Sequence, residues 1–397
     1  MSGRIEPPWG DLIDFPPLSS ILEQYQNLIN RRIPQSSSPF LILTKFNSSS
    51  ITMQAIRVHP SQPPSPPYTP SNPAPSTSLH LDRIPIPKPT IPGSLLIRIK
   101  ASTIIRDMLT WPETYAHPYI IPGNDFAGTV VEVVPGPGGE SAFQVGDEVF
   151  GMVHADRPST WAEYAVVLES EVARKPGNVG WEEAAALPLS GMTGFEALFE
   201  HGGLELPDWE EISSVQMEMT KTERDKEVLI TGAAGGVGIY LVQLAATAAG
   251  VRVIAASSSN ARNAEFLREL GAHEVIEYSA LDGEKGRFDV IVDTVGGETL
   301  ARCWELVREG GSLISVDSAS FNFVEEHTVR GIRRDGVKAL FFIVRGSSRA
   351  LRVLGGLVER GLLKAFVAGS YPIERVREAY DFANGRYMGR GKVVLTV

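Results

Sequence analysis

The run Val228-Leu-Ile-Thr-Gly-Ala-Ala-Gly-Gly-Val-Gly-Ile-Tyr-Leu-Val-Gln-Leu-Ala joins an apolar strand-like stretch to a helical one through a turn made mostly of glycine. Ala233, Gly235 and Gly238 fall at the G-x-G-x-x-G spacing, with alanine in the first place, and Gly236 and Val237 complete the turn. The chemistry of such a turn is anion binding. Gly235 lets the backbone approach a pyrophosphate, Gly238 lets the helix pack on its strand, and the helix N-terminus favours negative charge. The next strand, Val251-Arg-Val-Ile-Ala-Ala-Ser, ends without a carboxylate that could accept bonds from a ribose 2′-hydroxyl. Its place is taken by Ser257 and Ser258, with Arg262 beyond them, and hydroxyls with a guanidinium suit a 2′-phosphate. The pattern predicts a dinucleotide site that takes NADPH.

The elements that must carry this site alternate. Between Val228 and Val316 strand-like and helix-like stretches follow one another, which predicts a doubly wound parallel sheet of the Rossmann type. From Leu95 to Leu168 the apolar runs are short, β-branched and punctuated by Gly and Pro, the mark of a β-rich domain. Lys392-Val-Val-Leu-Thr-Val returns to that β character. The expected fold class is therefore α/β, with a nucleotide domain inserted into a smaller β-rich one. Its parts are an extension over 1–52, a β-rich catalytic domain over 53–180, the nucleotide domain over 181–335, and a return to the sheet edge and catalytic domain over 336–397. Residues 60–92 are expected to form a proline-rich loop, because Pro60, Pro63, Pro64, Pro66, Pro67, Pro70, Pro73 and Pro75 disfavour helix and sheet. A charged addition is expected over roughly 204–226.

Composition narrows the function. The 397 residues carry a formal net charge of −10, and an acidic surface repels phosphate backbones, so nucleic acid is not expected as a partner. Cys303 is the single cysteine, so neither an internal disulfide nor a cysteine-rich zinc site is available. The seven histidines show no ligand spacing, and no metal is expected. No apolar run is long enough to span a membrane. The acidic residues Glu6, Asp11, Asp14 and Glu23 argue against a targeting segment, so a cytoplasmic location is expected.

Further motifs extend the picture along the chain: Pro122-Gly-Asn-Asp-Phe-Ala-Gly, Gly146-Asp-Glu-Val-Phe-Gly, Trp161-Ala-Glu-Tyr, Ala184-Ala-Ala-Leu-Pro-Leu-Ser-Gly-Met-Thr, Phe288-Asp-Val-Ile-Val-Asp-Thr-Val-Gly-Gly and Gly391-Lys-Val-Val-Leu. Together with the glycine turn, and in this order from Met53 to Val397, they resemble the medium-chain dehydrogenase/reductase superfamily in its zinc-free quinone oxidoreductase and enoyl reductase branch. The resemblance implies a GroES-like β-rich catalytic domain, a Rossmann domain and NADPH in the cleft between them. It implies that Tyr278 joins Arg262 at the 2′-phosphate. Val295, Gly296, Ser315, Val316, Phe341 and Phe342 are implied as the nicotinamide wall, and Lys392 as a lysine facing the cofactor.

Without zinc an alkoxide has no Lewis acid to stabilise it, so an activated C=C or a quinone is the expected acceptor. The resemblance implies a tyrosine beside the nicotinamide, and Tyr115 is the match for it; proton donor or substrate contact and simple packing residue both stay open for Tyr115, with His117 and His154 as weaker polar candidates. Trp111 and Trp161 are read as core residues or pocket walls. Relatives often carry Asn-Pro-x-Asp where this chain has Ile104-Ile105-Arg106-Asp107, which changes the polar surroundings of the nicotinamide. Three readings stay open. One is an NADPH-dependent reductase of a small enone, enoyl compound, other carbonyl compound or quinone. The second is a trans-acting enoyl reductase of a polyketide-type pathway, whose substrate is bound to a carrier protein. The third is a non-catalytic NADPH-binding relative. Oligomeric state stays open: many relatives pair through the edge of the Rossmann sheet, and the strand near Ala339–Val344 is the candidate edge for a homodimer, by extension of the sheet.

Overall fold

In strand Ser94–Ile104, Ile97, Ile99 and Ala101 are buried while Arg98 is exposed and Lys100 half-buried, the period of two of a pleated strand, and both ends of the strand are buried on either face. It is the third strand (β3) of the computed structural model, which describes residues 52–206, 225–387 and 389–397. The extension expected over 1–52, all but Thr52, and most of the charged addition lie outside the described residues. Before β3, Thr52–Val58 (β1) and Leu79–Pro85 (β2) form an antiparallel pair, tied to the rest by a bridge from Ala55 to Ala162. After it come Asp125–Val134 (β4), Glu148–Met152 (β5), Tyr164–Leu168 (β6) and Val172–Arg174 (β7). Two helices follow, Trp181–Ala186 (α1) and Pro188–Phe195 (α2).

The chain then alternates as its periodicity requires. Glu227–Ile230 (β8), Gly238–Gln243 (α3), Arg252–Ser257 (β9), Asn260–Glu269 (α4) and Glu274–Glu277 (β10) make the first half. Phe288–Asp293 (β11), Gly297–Leu306 (α5), Val307–Ser315 (β12), Phe323–Val329 (α6) and Lys338–Phe341 (β13) make the second. Every pairing in this sheet is parallel, in the order β10-β9-β8-β11-β12-β13. The order reverses between β8 and β11, so a crevice opens at the carboxyl ends of those two strands. Val228, Leu229 and Ile230 are all buried because helices cover both faces.

Ser348–Glu359 (α7) leads back to the other sheet, where Val367–Pro372 (β14), Val376–Asn384 (α8) and Lys392–Thr396 (β15) complete the described elements. That sheet runs β14-β15-β3-β4-β5-β7, with β6 also on β3. Strand β15 thus lies inside the sheet, antiparallel to β3, with Val393 opposite Ile104.

Two features differ from the sequence expectation. The segment 60–92 is not loop throughout, because Leu79-His-Leu-Asp-Arg-Ile is free of proline and pairs with β1 residue by residue. The proline-dense part before it is docked as well as extended, with Ala74 buried. Helix α1, placed with the nucleotide domain by sequence, packs instead on β3, β4 and β15 of the catalytic sheet through its buried face of Ala184, Ala185 and Ala186.

Candidate active site

The glycine turn after β8 is shaped by contacts that leave no room for side chains. Gly232 has φ +61°, and a Cβ there would stand 2.2 Å from Thr294 Oγ1. A Cβ on Gly238 would stand 2.2 Å from the Gly232 carbonyl oxygen, so α3 seats on the turn only with glycine at its start. Gly236 faces open space, the nearest atom to a Cβ being Lys392 Cδ at 4.0 Å. Here the backbone is bare toward the crevice, the condition for close approach of a phosphate. Gly232 N–H donates to the Tyr278 hydroxyl at 2.9 Å, which braces the turn from β10's end. Burial keeps that phenol well above its ordinary pKa, so the hydroxyl retains its proton. Gly232 was not singled out from sequence, since its demand comes from Thr294, more than sixty positions away.

A buried carboxylate ties the ends of three strands together beneath the crevice. Asp293 Oδ1 accepts from Thr231 Oγ1 at 2.6 Å, and Oδ2 accepts from Gly296 N–H at 2.8 Å and Ser315 Oγ at 3.2 Å. Burial pushes its pKa up against those hydrogen bonds. Val316 N–H donates to the Asp293 carbonyl at 2.9 Å. The Val295-Gly296 turn and the Ser315-Val316 strand end are therefore joined in one network, with Val295 itself partly exposed.

Over the turn lies a cleft of about 1000 Å³ between the two sheets. Gly235, Gly236, Val237, Ser257, Ser258, Arg262, Tyr278 and Lys392, all singled out from sequence, line it. The second domain contributes Ile104, Arg106, Tyr387 and Arg390 among others. Among the described residues, five cationic side chains (Arg106, Arg262, Arg386, Arg390 and Lys392) line the cleft and no Asp or Glu does. In a chain of net charge −10 that is a strong local reversal of sign. It makes the cleft a receptor for a polyanion.

The floor of the cleft holds a buried ion pair. Lys392 Nζ stands 3.6 Å from Asp125 Oδ2, and neither side chain is more than 7% exposed. Asp125 Oδ2 also accepts from Thr103 Oγ1 at 2.6 Å, and Oδ1 from Leu189 N–H at 2.7 Å. Burial raises the Asp125 pKa and lowers that of Lys392, and their mutual attraction opposes both shifts. Asp125 had been seen only as part of a motif; its role depends on a partner at the far end of the chain.

Several candidate residues lie elsewhere. Ala233 and Gly238 support the turn without lining the cleft, Ala233 being fully buried. Phe341 belongs to β13, and the Phe342 ring lies 4.6 Å from that of His201; neither lines the cleft. Tyr115 is not among the residues that line the cleft. Its hydroxyl accepts from Ala74 N–H at 2.8 Å and donates to the Leu109 carbonyl, which fixes the proline-rich segment to the catalytic domain. Trp161 is fully buried and donates to the Thr103 carbonyl at 2.9 Å, a core position. His154 pairs with Asp156 at 2.7 Å, and Arg106 with Asp107 at 3.7 Å. Asn263, Arg386, Tyr387 and Arg390 were missed. The signal available was the density of basic residues over 386–392 in an acidic chain.

The comparisons agree with this architecture. Residues 91–177 match the family described as alcohol dehydrogenase GroES-like domain, and residues 270–395 the one described as zinc-binding dehydrogenase. Among the described residues no three His, Cys, Asp or Glu side chains are grouped so as to hold a metal ion. No helix among them is long and apolar enough to cross a membrane. The chain is 34% identical to a protein of Arthroderma benhamiae named probable zinc-binding oxidoreductase, mitochondrial, over 81% of this chain and 94% of that protein. It is 28% identical to the chloroplast envelope quinone oxidoreductase homolog of Arabidopsis thaliana, over 76% and 89% of the two chains. It is 34% identical to the 2-methylene-furan-3-one reductase of Solanum lycopersicum, over 69% of this chain and 63% of that one. A solved structure of the quinone oxidoreductase from Coxiella burnetii shares the fold, with a TM-score of 0.69 and 24% identity, over 87% of this chain and all of that one.

Proposed function

The chain belongs to the medium-chain dehydrogenase/reductase superfamily, and we propose that it is an NADPH-dependent oxidoreductase that reduces an activated C=C or a quinone without zinc. The observation that carries this reading is the cleft itself, in which the bare backbone of the glycine turn is flanked, among the described residues, by five cationic side chains and no carboxylate. NADPH is a polyanion whose pyrophosphate suits the turn and the start of α3. Ser258 and Arg262 would take its 2′-phosphate, where a carboxylate would repel it. Tyr278 holds the turn in shape through Gly232 and closes that end of the cleft.

When bound, the dihydronicotinamide supplies the hydride that reduces the acceptor. The protein's share is orientation and exclusion of water. The Asp293 network fixes the ends of β8, β11 and β12 relative to one another, and the Asp125–Lys392 pair fixes the opposite wall. That no cluster of metal-ligating side chains is found among the described residues supports an acceptor already polarised by conjugation over an alcohol. The names of the Arabidopsis and tomato relatives, a quinone oxidoreductase homolog and a furanone reductase, support the same choice. We also place a homodimer contact on the outer edge of β13, which pairs with no further strand among the described residues and is followed by the exposed Ile343.

The experiment is a fluorescence titration with NADPH and with NADH, followed by addition of an enone or a quinone while cofactor oxidation is recorded. Tighter NADPH binding that is lost in Arg262→Ala, together with turnover of either acceptor, is the expected result. Equal binding of the two cofactors would remove the 2′-phosphate assignment. Binding without turnover of any conjugated acceptor would remove the reductase assignment.

A further inference from the structure

We propose that Arg390, from the segment that leads into β15, is a second ligand of the 2′-phosphate and with Arg262 sets the preference for NADPH over NADH. The inference rests on the NADPH reading above and names a residue for it. Arg390 reaches across from the catalytic sheet to α4 of the nucleotide domain. Its Nη2 donates to the Arg262 carbonyl at 2.9 Å and to Asn263 Oδ1 at 2.7 Å, and its guanidinium lies 4.9 Å from the centre of the Phe266 ring. Asn263 is buried, so the anchor is held in place.

The electrostatics point to a missing anion. Arg262 and Arg390 both line the cleft, side by side, and neither makes an ion pair among the described residues. Arg262 has only a 3.5 Å contact to Ser258 Oγ. Burial and the neighbouring Arg262 both lower the proton affinity of Arg390, which is the signature of two guanidiniums brought together without compensation. Such a pair is unfavourable by itself and becomes favourable around a dianion that each can hydrogen-bond. The anchor occupies Nη2, and Nε and Nη1 have no hydrogen-bond partner among the described residues, which leaves them able to bind phosphate oxygens. A cation that only tied the segment to α4 would be served as well by a carboxylate on α4, yet the anchor is the neutral amide of Asn263.

The test uses adenosine 2′,5′-bisphosphate and 5′-AMP, which differ only in the 2′-phosphate, and isothermal titration calorimetry of the full chain. The wild-type protein is expected to bind the bisphosphate more tightly. In Arg390→Met the bisphosphate affinity is expected to fall about 10- to 100-fold, the worth of a charged hydrogen-bonded contact, with 5′-AMP changed by less than about threefold. Arg390→Lys keeps the charge but not the fork, so it is expected to fold as the wild type does and to lose part of the same preference. Asn263→Asp places a carboxylate beside the phosphate and is expected to reverse the preference. If Arg390→Met and Arg390→Lys weaken both ligands alike, Arg390 is a tether between domains and the inference is overturned. If they change neither, it is overturned as well. A wild-type preference that Arg262→Ala abolishes and the Arg390 variants leave intact would sink only this inference. A wild-type protein that binds both ligands equally would sink the NADPH reading and this inference together.

Discussion

Lys392 Nζ lies 3.6 Å from Asp125 Oδ2 in the floor of the cleft, and these two buried charges join the last strand to the fourth. Removing one leaves the other without compensation, which costs roughly 3–5 kcal/mol in buried pairs. The pH dependence separates the two single variants. In Lys392→Met, Asp125 keeps its raised pKa and loses the attraction that opposed it. The folded state then holds its proton above the unfolded value of 3.8, so stability falls as pH rises from there through the folded pKa. In Asp125→Asn, the Lys392 pKa is lowered further below 10.5 and stability increases with pH up to that value. Urea unfolding at pH 5 and pH 8 should show slopes of opposite sign for the two variants; equal slopes would contradict the pairing.

Arg287 clamps the amino-terminal side of the nucleotide sheet, far from the cleft. It bonds Glu227 at 2.7 and 2.9 Å, Glu274 at 2.9 Å and Glu284 at 2.6 Å. The Arg287 hydrogen bonds hold the Glu227 carboxyl below its usual value of 4.5. That stabilisation is present above 4.5 and lost as pH falls through the folded pKa. Arg287→Met is expected to cost about 2 kcal/mol at pH 7 and to flatten the acid limb of stability below 4.5, with cofactor affinity unchanged. Chemical denaturation between pH 3 and pH 7 checks it.

The two neighbouring glycines of the turn should part company. Gly238→Ala puts a Cβ 2.2 Å from the Gly232 carbonyl and is expected to destabilise the nucleotide domain by about 1–3 kcal/mol, with loss of cofactor binding. Gly236→Ala meets nothing closer than 4.0 Å and is expected to leave the melting temperature within about 2 °C. Its methyl group stands where a phosphate approaches the backbone, so cofactor affinity is still expected to drop by about tenfold or more. Thermal melts and titrations of both variants would decide.

Tyr115→Phe removes the acceptor of Ala74 N–H and the donor to the Leu109 carbonyl. A loss of about 1–2 kcal/mol is expected, with kcat unchanged. Limited proteolysis should show earlier cleavage within residues 60–78. A large fall in kcat at normal stability would restore the tyrosine to the chemistry.

Where the physics is local, the sequence discloses the structure. Val228–Ile230 running into glycines marks the crevice strand, and Ser257, Ser258 and Arg262 mark one end of the cleft, because strand burial, turn sterics and helix starts are set by near neighbours. What escapes is set by return of the chain. Gly232 is constrained by Thr294, Asp125 by Lys392, and Asn263 receives Arg390, pairs that no period or spacing connects. Tyr115 stays ambiguous in the sequence for the same reason. The contact of its hydroxyl with Ala74, brought back by the proline-rich segment, is announced by nothing local.

The place of β15 inside its sheet has a consequence for biosynthesis. Ile104 of β3 waits for Val393, which leaves the ribosome roughly 290 positions later. At about 5–20 residues per second that is a delay of roughly 15–60 s, during which the Ala101–Ile104 part of the β3 edge is open. The nucleotide domain, contiguous in the chain, can reach its fold in that interval. The nascent chain therefore assembles from the inside of its sequence outward, and the edge of β3 is the surface a chaperone would need to shield until the last strand arrives.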